Sequence, residues 1–406
     1  MDSVITAAAR ALSVGDPLAA LKQVALRDDA PALALRGIAM AQLGDLARAR
    51  DLLRSATRAF GQKEALARAR CIVAEAEIAL ALRDLGSVMK TLRPARETLD
   101  SLGDSVNAAH AGYLDARRLL LIGHLDEAER ILDDIDTASL PQASRAGHAL
   151  VAAGIAMRRV RTEPARAALA RASEAARDAG HAALTAEVER ASRAFDAPAA
   201  TLVTRGSKHL LGLGEVETLL ASDKLIVDAC RNVVRAGTAV VPLASRPVLF
   251  ALVRALAEAW PEDVSREMLL ERIFGARHAD ESHRTRLRVE IARLRKALEP
   301  QAALKATRGG FVLEMQGPGE VVVLTPPVEG DHAEVMALLA DGEAWSSSAL
   351  ALALGVSSRT TLRALEALSE AGKVESFGRG RACRWIQRTV PGFPTSLLLP
   401  APLPNG

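Results

Sequence analysis

Residues 281–298 read ESHRTRLRVEIARLRKAL, and this stretch decides the fold of the second half of the chain. Leu287, Ile291, Leu294 and Leu298 recur at i, i+4, i+7 and i+11, one apolar stripe of an amphipathic helix that must pack inward. Arg284, Arg288 and Arg295 lie off that stripe, and Arg286, Arg293 and Lys296 project from its flanks. Six Lys and Arg stand here against two Asp and Glu, whereas residues 1–200 hold 27 against 26. The net charge of +3 excludes a uniformly basic coat, so the basic character is local to this helix. An isolated helix of this kind is either a solvated face or a reader of the DNA major groove. In the groove Arg pairs with guanine, and the remaining cations bond phosphate. Ser282 is placed to cap the helix, which turns its first residues, His283 to Arg288, outward.

Upstream, KLIVDACRNVVRAGTAVVPL carries two β-branched runs around Arg235-Ala236-Gly237, the pattern of a β-hairpin. A helix begins at Ser245 (RPVLFALVRALAEAW), breaks at Pro261 and Val264-Ser265, and restarts as SREMLLERIFG. Downstream, LKATRGGFVLE closes as a second hairpin. The order over 224–314 is therefore strand, strand, helix, helix, helix, hairpin.

That order, with VVRAGTAVVPLA, VSREMLLERIFG, RTRLRVEIARLRKALE and TRGGFVLE in sequence, resembles the OmpR/PhoB-type winged helix-turn-helix domain, also used in SARP-type regulators. The resemblance implies a DNA-binding domain over 224–325, with 281–298 as recognition helix. It would be docked through His283, Arg284, Arg286, Arg288, Arg293, Arg295 and Lys296. The hairpin tip would place Lys305, Thr307 and Arg308 over the neighbouring backbone. Leu287-Arg288-Val289 replaces the family's hydrophobic-Asp-hydrophobic triplet, so base preferences are not carried over.

After Gly317-Pro318-Gly319 and Pro326-Pro327, the plan recurs in smaller form over 330–388. SSSALALALGVSSRTTLRALEALSEAGKVESFGRGRACRW resembles the MarR-like winged helices. Ser357 or Ser358 supplies an N-cap oxygen, and Leu362, Leu365 and Leu368 face the core. Ser358, Arg359, Thr361 and Arg363 are left for solvent or DNA, with Arg379, Arg381 and nearby Arg384 as a basic cluster. Docking or dimerisation through this lobe is the alternative to DNA contact. Trp345 and Trp385 are read as core anchors. The segment 389–406, with five prolines, reads as a tail.

Residues 1–195 read as helix throughout, rich in Ala, Leu and Arg. Turns near 44, 84, 123 and 162 recur every 39–40 residues, the mark of a helical-hairpin repeat. ALRGIAMAQLGDLARARDLLRSATRA and ARRLLLIGHLDEAERILDDI resemble tetratricopeptide repeats. Gly37, Ala41, Ala49 and Ala56 are the small residues in the first of these; Gly123, Leu125, Ala128 and Leu132 carry the pattern in the second. Residues 196–223, with Gly206, Gly212 and Gly214, read as a linker.

The fold expected is mainly α: an N-terminal α-solenoid followed by two small α+β winged helices. Aromatics at 3% leave Ala and Leu to fill the interior, which favours close-packed helices. Cys71, Cys230 and Cys383 show no metal-site spacing and are read as reduced core residues. His110, His124 and His148 read as surface or core-edge. No GxxxxGK[ST] loop occurs, and Asp28-Asp29 lacks the strand–helix alternation of a phospho-receiver. The reading is a cytoplasmic, non-enzymatic, sequence-specific DNA-binding regulator without metal or cofactor. Double-stranded DNA is its partner, a protein, a peptide or a second copy of the chain binds the repeats, and no membrane is involved. The alternative is an interaction scaffold whose winged helices dock proteins instead of DNA.

Overall fold

The computed structural model describes residues 2–13, 15–82, 84, 89–138, 140–180, 182–243, 245–274, 280–299, 301–315, 319–327, 332–339, 345–354, 356–371, 373–378, 380 and 383–387. It is mainly helical and divides into two compact units. One comprises Met1–Arg159, Glu163–Arg193 and Val335–Gly406; the other comprises Val160–Thr162 and Ala194–Glu334.

The first unit opens with α1 (Ser3–Ser13), α2 (Pro17–Val24), α3 (Ala30–Gln42), α4 (Leu46–Ala59), α5 (Ala65–Ala81) and α6 (Met89–Ser101). It continues with α7 (Ser105–Ile122), α8 (Leu125–Asp133), α9 (Gln142–Arg158), α10 (Thr162–Ala179) and α11 (Ala182–Asp196). From α1 to α9 each helix packs on the next, and α1, α3, α5, α7 and α9 also touch in series. Helices α3, α5 and α7 bury more than half of their residues, while α4 and α8 bury one stripe. Small residues make this packing close. A Cβ on Gly37 would come within 2.8 Å of the Leu53 side chain, so α3 and α4 approach as only glycine permits. Gly44 and Gly123 end α3 and α7 with φ of +87° and +85°, a left-handed turn natural to glycine. Ala41, Ala49, Ala56, Ala128 and Leu132 are all buried.

His110, expected at a surface or core edge, is buried in α7, its Nε2 3.1 Å from Glu77 Oε2 of α5. Burial pushes the Glu77 carboxyl above its usual range, against the opposing pull of His110. Arg117 links Tyr113 to Glu187 beside the pair. The burial of Glu77, His110 and Tyr113 is tolerated because each has a polar partner.

The same unit includes α16 (Ala333–Leu339), α17 (Ser347–Leu354), α18 (Ser358–Glu370), β10 (Val374–Phe377) and β11 (Arg384–Gln387). (β1–β9 belong to the other unit.) β10 and β11 pair antiparallel, and the backbones of Trp345 and Trp385 exchange hydrogen bonds of 2.8 and 2.7 Å. Val335, Trp345, Leu350, Leu365, Leu368 and Trp385 join one apolar cluster with residues of α5–α11. The C-terminal lobe is thus seated on the helical array, α17 against α7. The 389–406 segment lies outside the described residues.

The second unit overturns the linker expectation. Residues 196–223 fold as β1 (Ala200–Thr204), β2 (Ser207–Leu211) and α12 (Leu213–Leu220). Arg205 and Gly206, both at positive φ, form the two-residue turn favoured between twisted strands. The next segment forms three strands where two were expected: β3 (Leu225–Asp228), β4 (Val233–Ala236) and β5 (Ala239–Pro242). Asp228 Oδ1 accepts the N–H groups of Cys230 and Arg231 at 2.9 and 3.2 Å, a local turn that splits the first apolar run. The hairpin turn falls one residue later than expected, at Gly237-Thr238 between β4 and β5.

There follow α13 (Pro247–Ala259), β6 (Val264–Ser265), α14 (Arg266–Phe274), α15 (Glu281–Leu298), β7 (Ala302–Ala306), β8 (Gly310–Met315) and β9 (Val321–Thr325). A six-stranded sheet runs β2-β1-β9-β3-β4-β5, with β3 and β9 parallel; a second sheet runs β6-β8-β7. The core gathers Leu249, Leu252, Val253 and Leu256 of α13, Leu269 and Leu270 of α14, and Leu287, Ile291, Leu294 and Leu298 of α15. Burial of each such side chain contributes about 1.5–3 kcal/mol, enough to fix which face of α15 points inward. Among the described residues, no helix is long and apolar enough to cross a membrane.

Candidate nucleic-acid interface

With the stripe of α15 buried, helical geometry sets the opposite face. Thr285, Val289, Ala292 and Lys296 form its outward ridge, each exposed. Arg286 and Arg293 flank the ridge on one side; Arg284, Arg288 and Arg295 flank it on the other, and all five are exposed. Short side chains at Thr285, Val289 and Ala292, with Lys296 at the C-terminal end and guanidinium groups on both rims, give a ridge narrow enough for a groove with phosphates on either wall.

The helix start differs from expectation. Asp280, not Ser282, is the N-cap; its Oδ1 accepts the His283 N–H at 2.9 Å and lies 2.6 Å from His283 Nδ1. Those bonds from the His283 backbone and ring hold the Asp280 carboxyl below its usual range. His283 is therefore tied to the cap, with its Nδ1 engaged. Asp280 prevails because Glu281 continues the helix behind it and adds a carboxylate to the positive end of the dipole.

The exposed cations rest in weak local pairs. Arg288 and Arg284 lie 3.3 and 3.7 Å from Glu281, Arg293 lies 2.9 Å from Glu290, and Arg286 stacks 4.7 Å over the Phe274 ring. The Glu281 pairs are exposed on both sides, and such pairs are worth about 0–1 kcal/mol, so a phosphate can replace that carboxylate at little cost, whereas Glu290 is largely buried beside Arg293. Arg295 is different: its Nε donates to the Leu304 carbonyl at 2.8 Å, tying α15 to β7.

The β7–β8 hairpin places Lys305 and Arg308 in solvent, Lys305 paired 2.5 Å from Glu314. Thr307 serves the turn itself. Its hydroxyl donates to Asp263 Oδ2 and accepts the Gly310 N–H at 2.8 Å. Arg266, at the start of α14, donates to the carbonyls of Arg308 and Thr307, both at 3.1 Å, and lies 5.2 Å over the Phe311 ring. Arg266 and Asp263 thus hold the tip. The sequence reading missed both, because nothing in DVSREMLL signals side chains directed at a hairpin 42 and 44 residues downstream. Gly310 is required for space: a Cβ there would sit 1.8 Å from the Val264 carbonyl oxygen.

In the C-terminal lobe, Ser357 caps α18 by accepting the Thr360 N–H at 3.1 Å. Ser358, Arg359 and Arg363 are exposed. Thr361 is not available to DNA: it is 1% exposed, and its hydroxyl donates to the Ser357 carbonyl at 3.2 Å. Leu362, expected in the core, is 40% exposed. The buried stripe is Thr361, Ala364, Leu365 and Leu368, so the face is turned by one residue from the leucine spacing. Arg384 also departs from expectation. Its Nε donates to the Leu82 carbonyl at the end of α5, at 3.0 Å, and burial pushes its pKa down. Arg379 and Arg381 lie outside the described residues.

An open groove of about 470 Å³ on the helical array is lined by both charges, including Arg145, His148, Arg171, Glu174 and Asp178. Among the described residues, no three His, Cys, Asp or Glu side chains converge as a metal site. No protein-family model, curated protein or solved structure matches the chain.

Proposed function

We propose that this protein is a DNA-binding transcription regulator and that residues 224–325, within the unit that holds Ala194–Glu334, act as a winged helix-turn-helix of the OmpR/PhoB type. The observation that carries the reading is the exposed face of α15: a ridge of Thr285, Val289 and Ala292 that ends in Lys296, between two rims of arginine, backed by a packed three-helix platform and a hairpin. In this reading Arg284, Arg286, Arg288, Arg293 and Lys296 face the duplex, and Lys305 and Arg308 follow its backbone. Arg295 and Thr307 position the hairpin, and His283 sits at the cap. The helical array acts as a tetratricopeptide-like solenoid that takes a partner peptide, a protein or a second copy. The reading assigns no catalysis.

For the C-terminal lobe, the bond from Arg384 to Leu82 and the apolar cluster shared with α5–α11 favour a docking role within the chain. Arg359 and Arg363 remain its candidates for DNA contact.

The test is a salt titration of the intact protein on random-sequence duplex. Affinity is expected to fall steeply and linearly in log–log form, and Arg286→Ala with Arg288→Ala to weaken it further. Absent or salt-insensitive binding overturns the reading in favour of the interaction scaffold.

A further inference from the structure

Beside the C-terminal half of α15 lies an open groove of about 460 Å³, lined by Arg246, Pro247, Val248, Leu249, Glu290 and Arg293. Arg246 immediately precedes α13 and is exposed. Among the described residues its guanidinium has no hydrogen-bond or ion-pair partner. On the opposite wall Arg293 is held by Glu290 at 2.9 Å, which fixes one edge of its guanidinium and leaves the remaining N–H groups to point away. The two arginines and one glutamate leave the groove with an excess positive charge. Pro247 and Val248 give it an apolar side.

The groove is also continuous with one rim of the candidate interface. Arg286 and Arg293 lie on the same flank of α15, seven residues and so about 10.5 Å apart along the axis. Arg246, which lines the groove together with Arg293, adds a cation on the neighbouring element. Three guanidinium groups on this side of the helix suit a polyanion whose charges repeat along a strand. An apolar wall beside paired N–H donors suits a sugar and its bridging phosphate.

We propose that Arg246 and Arg293 form a seat for one backbone phosphate of duplex DNA, so that the interface extends from α15 onto the segment leading into α13. This rests on the DNA-binding reading above. Glu290 acts as a positioning residue: it orients Arg293 and is displaced only in part when the phosphate arrives.

The experiment measures binding of the full chain to random-sequence duplex by fluorescence anisotropy across a salt series. The proteins are the wild type, Arg246→Ala and Arg246→Lys. One lost phosphate contact is expected to reduce the log–log salt slope by about 0.9, which at 0.15 M salt is about a fivefold loss of affinity. Arg246→Lys, which keeps the charge, is expected to restore the slope. The thermal midpoint of Arg246→Ala should equal that of the wild type, because the side chain is exposed. A slope unchanged in Arg246→Ala, in a wild type that binds, overturns the phosphate seat and leaves the DNA-binding reading standing. A wild type that does not bind overturns both. A competition series with sulfate at matched ionic strength adds a further arm. Displacement of duplex by sulfate is expected to be weaker in Arg246→Ala, because sulfate and the backbone phosphate compete for the same guanidinium; equal displacement in the two proteins would overturn the phosphate seat.

Discussion

Replacing Gly310 by Ala, with Gly309→Ala as its neighbour and control, separates space from sequence at the hairpin tip. The added Cβ at 310 would lie 1.8 Å from the Val264 carbonyl oxygen, 2.6 Å from its carbon and 2.9 Å from Ser265 Cα. All three atoms are backbone, so no rotamer change relieves the overlap. The strands must part. Parting them breaks the β6–β8 pairing of Val264 with Phe311 and Ser265 with Gly310. Two lost backbone bonds remove about 2 kcal/mol, and overpacking adds about 1–3 kcal/mol, for a total of about 3–5 kcal/mol. At Gly309 the nearest atom to a new Cβ is Asp263 Oδ2 at 3.4 Å, the end of a side chain that can move. Neither glycine has a positive φ, so conformational strain does not enter the comparison. Gly309→Ala is expected within about 0.5 kcal/mol of wild type. Thermal unfolding should show a loss on the order of 10 °C for Gly310→Ala and almost none for Gly309→Ala. Equal shifts for the two would refute the steric account of the tip.

Arg266→Ala removes two side-chain bonds to the tip carbonyls, worth about 2 kcal/mol to the hairpin. Amide exchange at Thr307 and Gly310 should accelerate and DNA affinity fall severalfold; unchanged values in both would remove Arg266 from the positioning role. Trp345→Ala empties the anchor of the C-terminal lobe, 1% exposed, and is expected to destabilise its unit by about 3–5 kcal/mol in equilibrium urea unfolding. Glu77 binds its proton more tightly when folded than the ordinary carboxyl, whose pKa is 4.5. The folded state therefore holds the extra proton as pH rises above 4.5, and stability declines with pH through that window. Glu77→Gln should lose this decline, and parallel melting curves against pH for the two proteins would contradict the buried environment assigned to Glu77.

The sequence made the interior of α15 legible because a four-residue apolar stripe admits only one inward face: Leu287, Ile291, Leu294 and Leu298 are all buried. The turns after α3 and α7 were legible for a similar reason, since Gly44 and Gly123 supply the positive φ. Competing local signals were not legible. Asp280 and Ser282 are both good caps, and only the position of the first turn decides between them. In α18 an apolar leucine and a hydroxyl compete for one face, and Thr361 takes the core because its hydroxyl bonds back to Ser357. The β1–β2 hairpin was hidden because Arg205-Gly206 resembles loop composition, and β1 gains its second partner only from β9, about 120 residues downstream. Long-range side-chain ties, such as Arg266 to the hairpin and Arg384 to Leu82, leave no trace in local pattern.

The outward presentation of α15 to a duplex can be tested by placing a photoreactive benzoylphenylalanine at Val289 or at Leu210. Val289, at the centre of the ridge, is 44% exposed; Leu210, on the edge strand β2, is 61% exposed, so random collision favours Leu210. On irradiation with duplex DNA, crosslinks are expected from position 289 and not from 210. No crosslink from 289, or equal yields from both, would contradict the claim that α15 enters the groove.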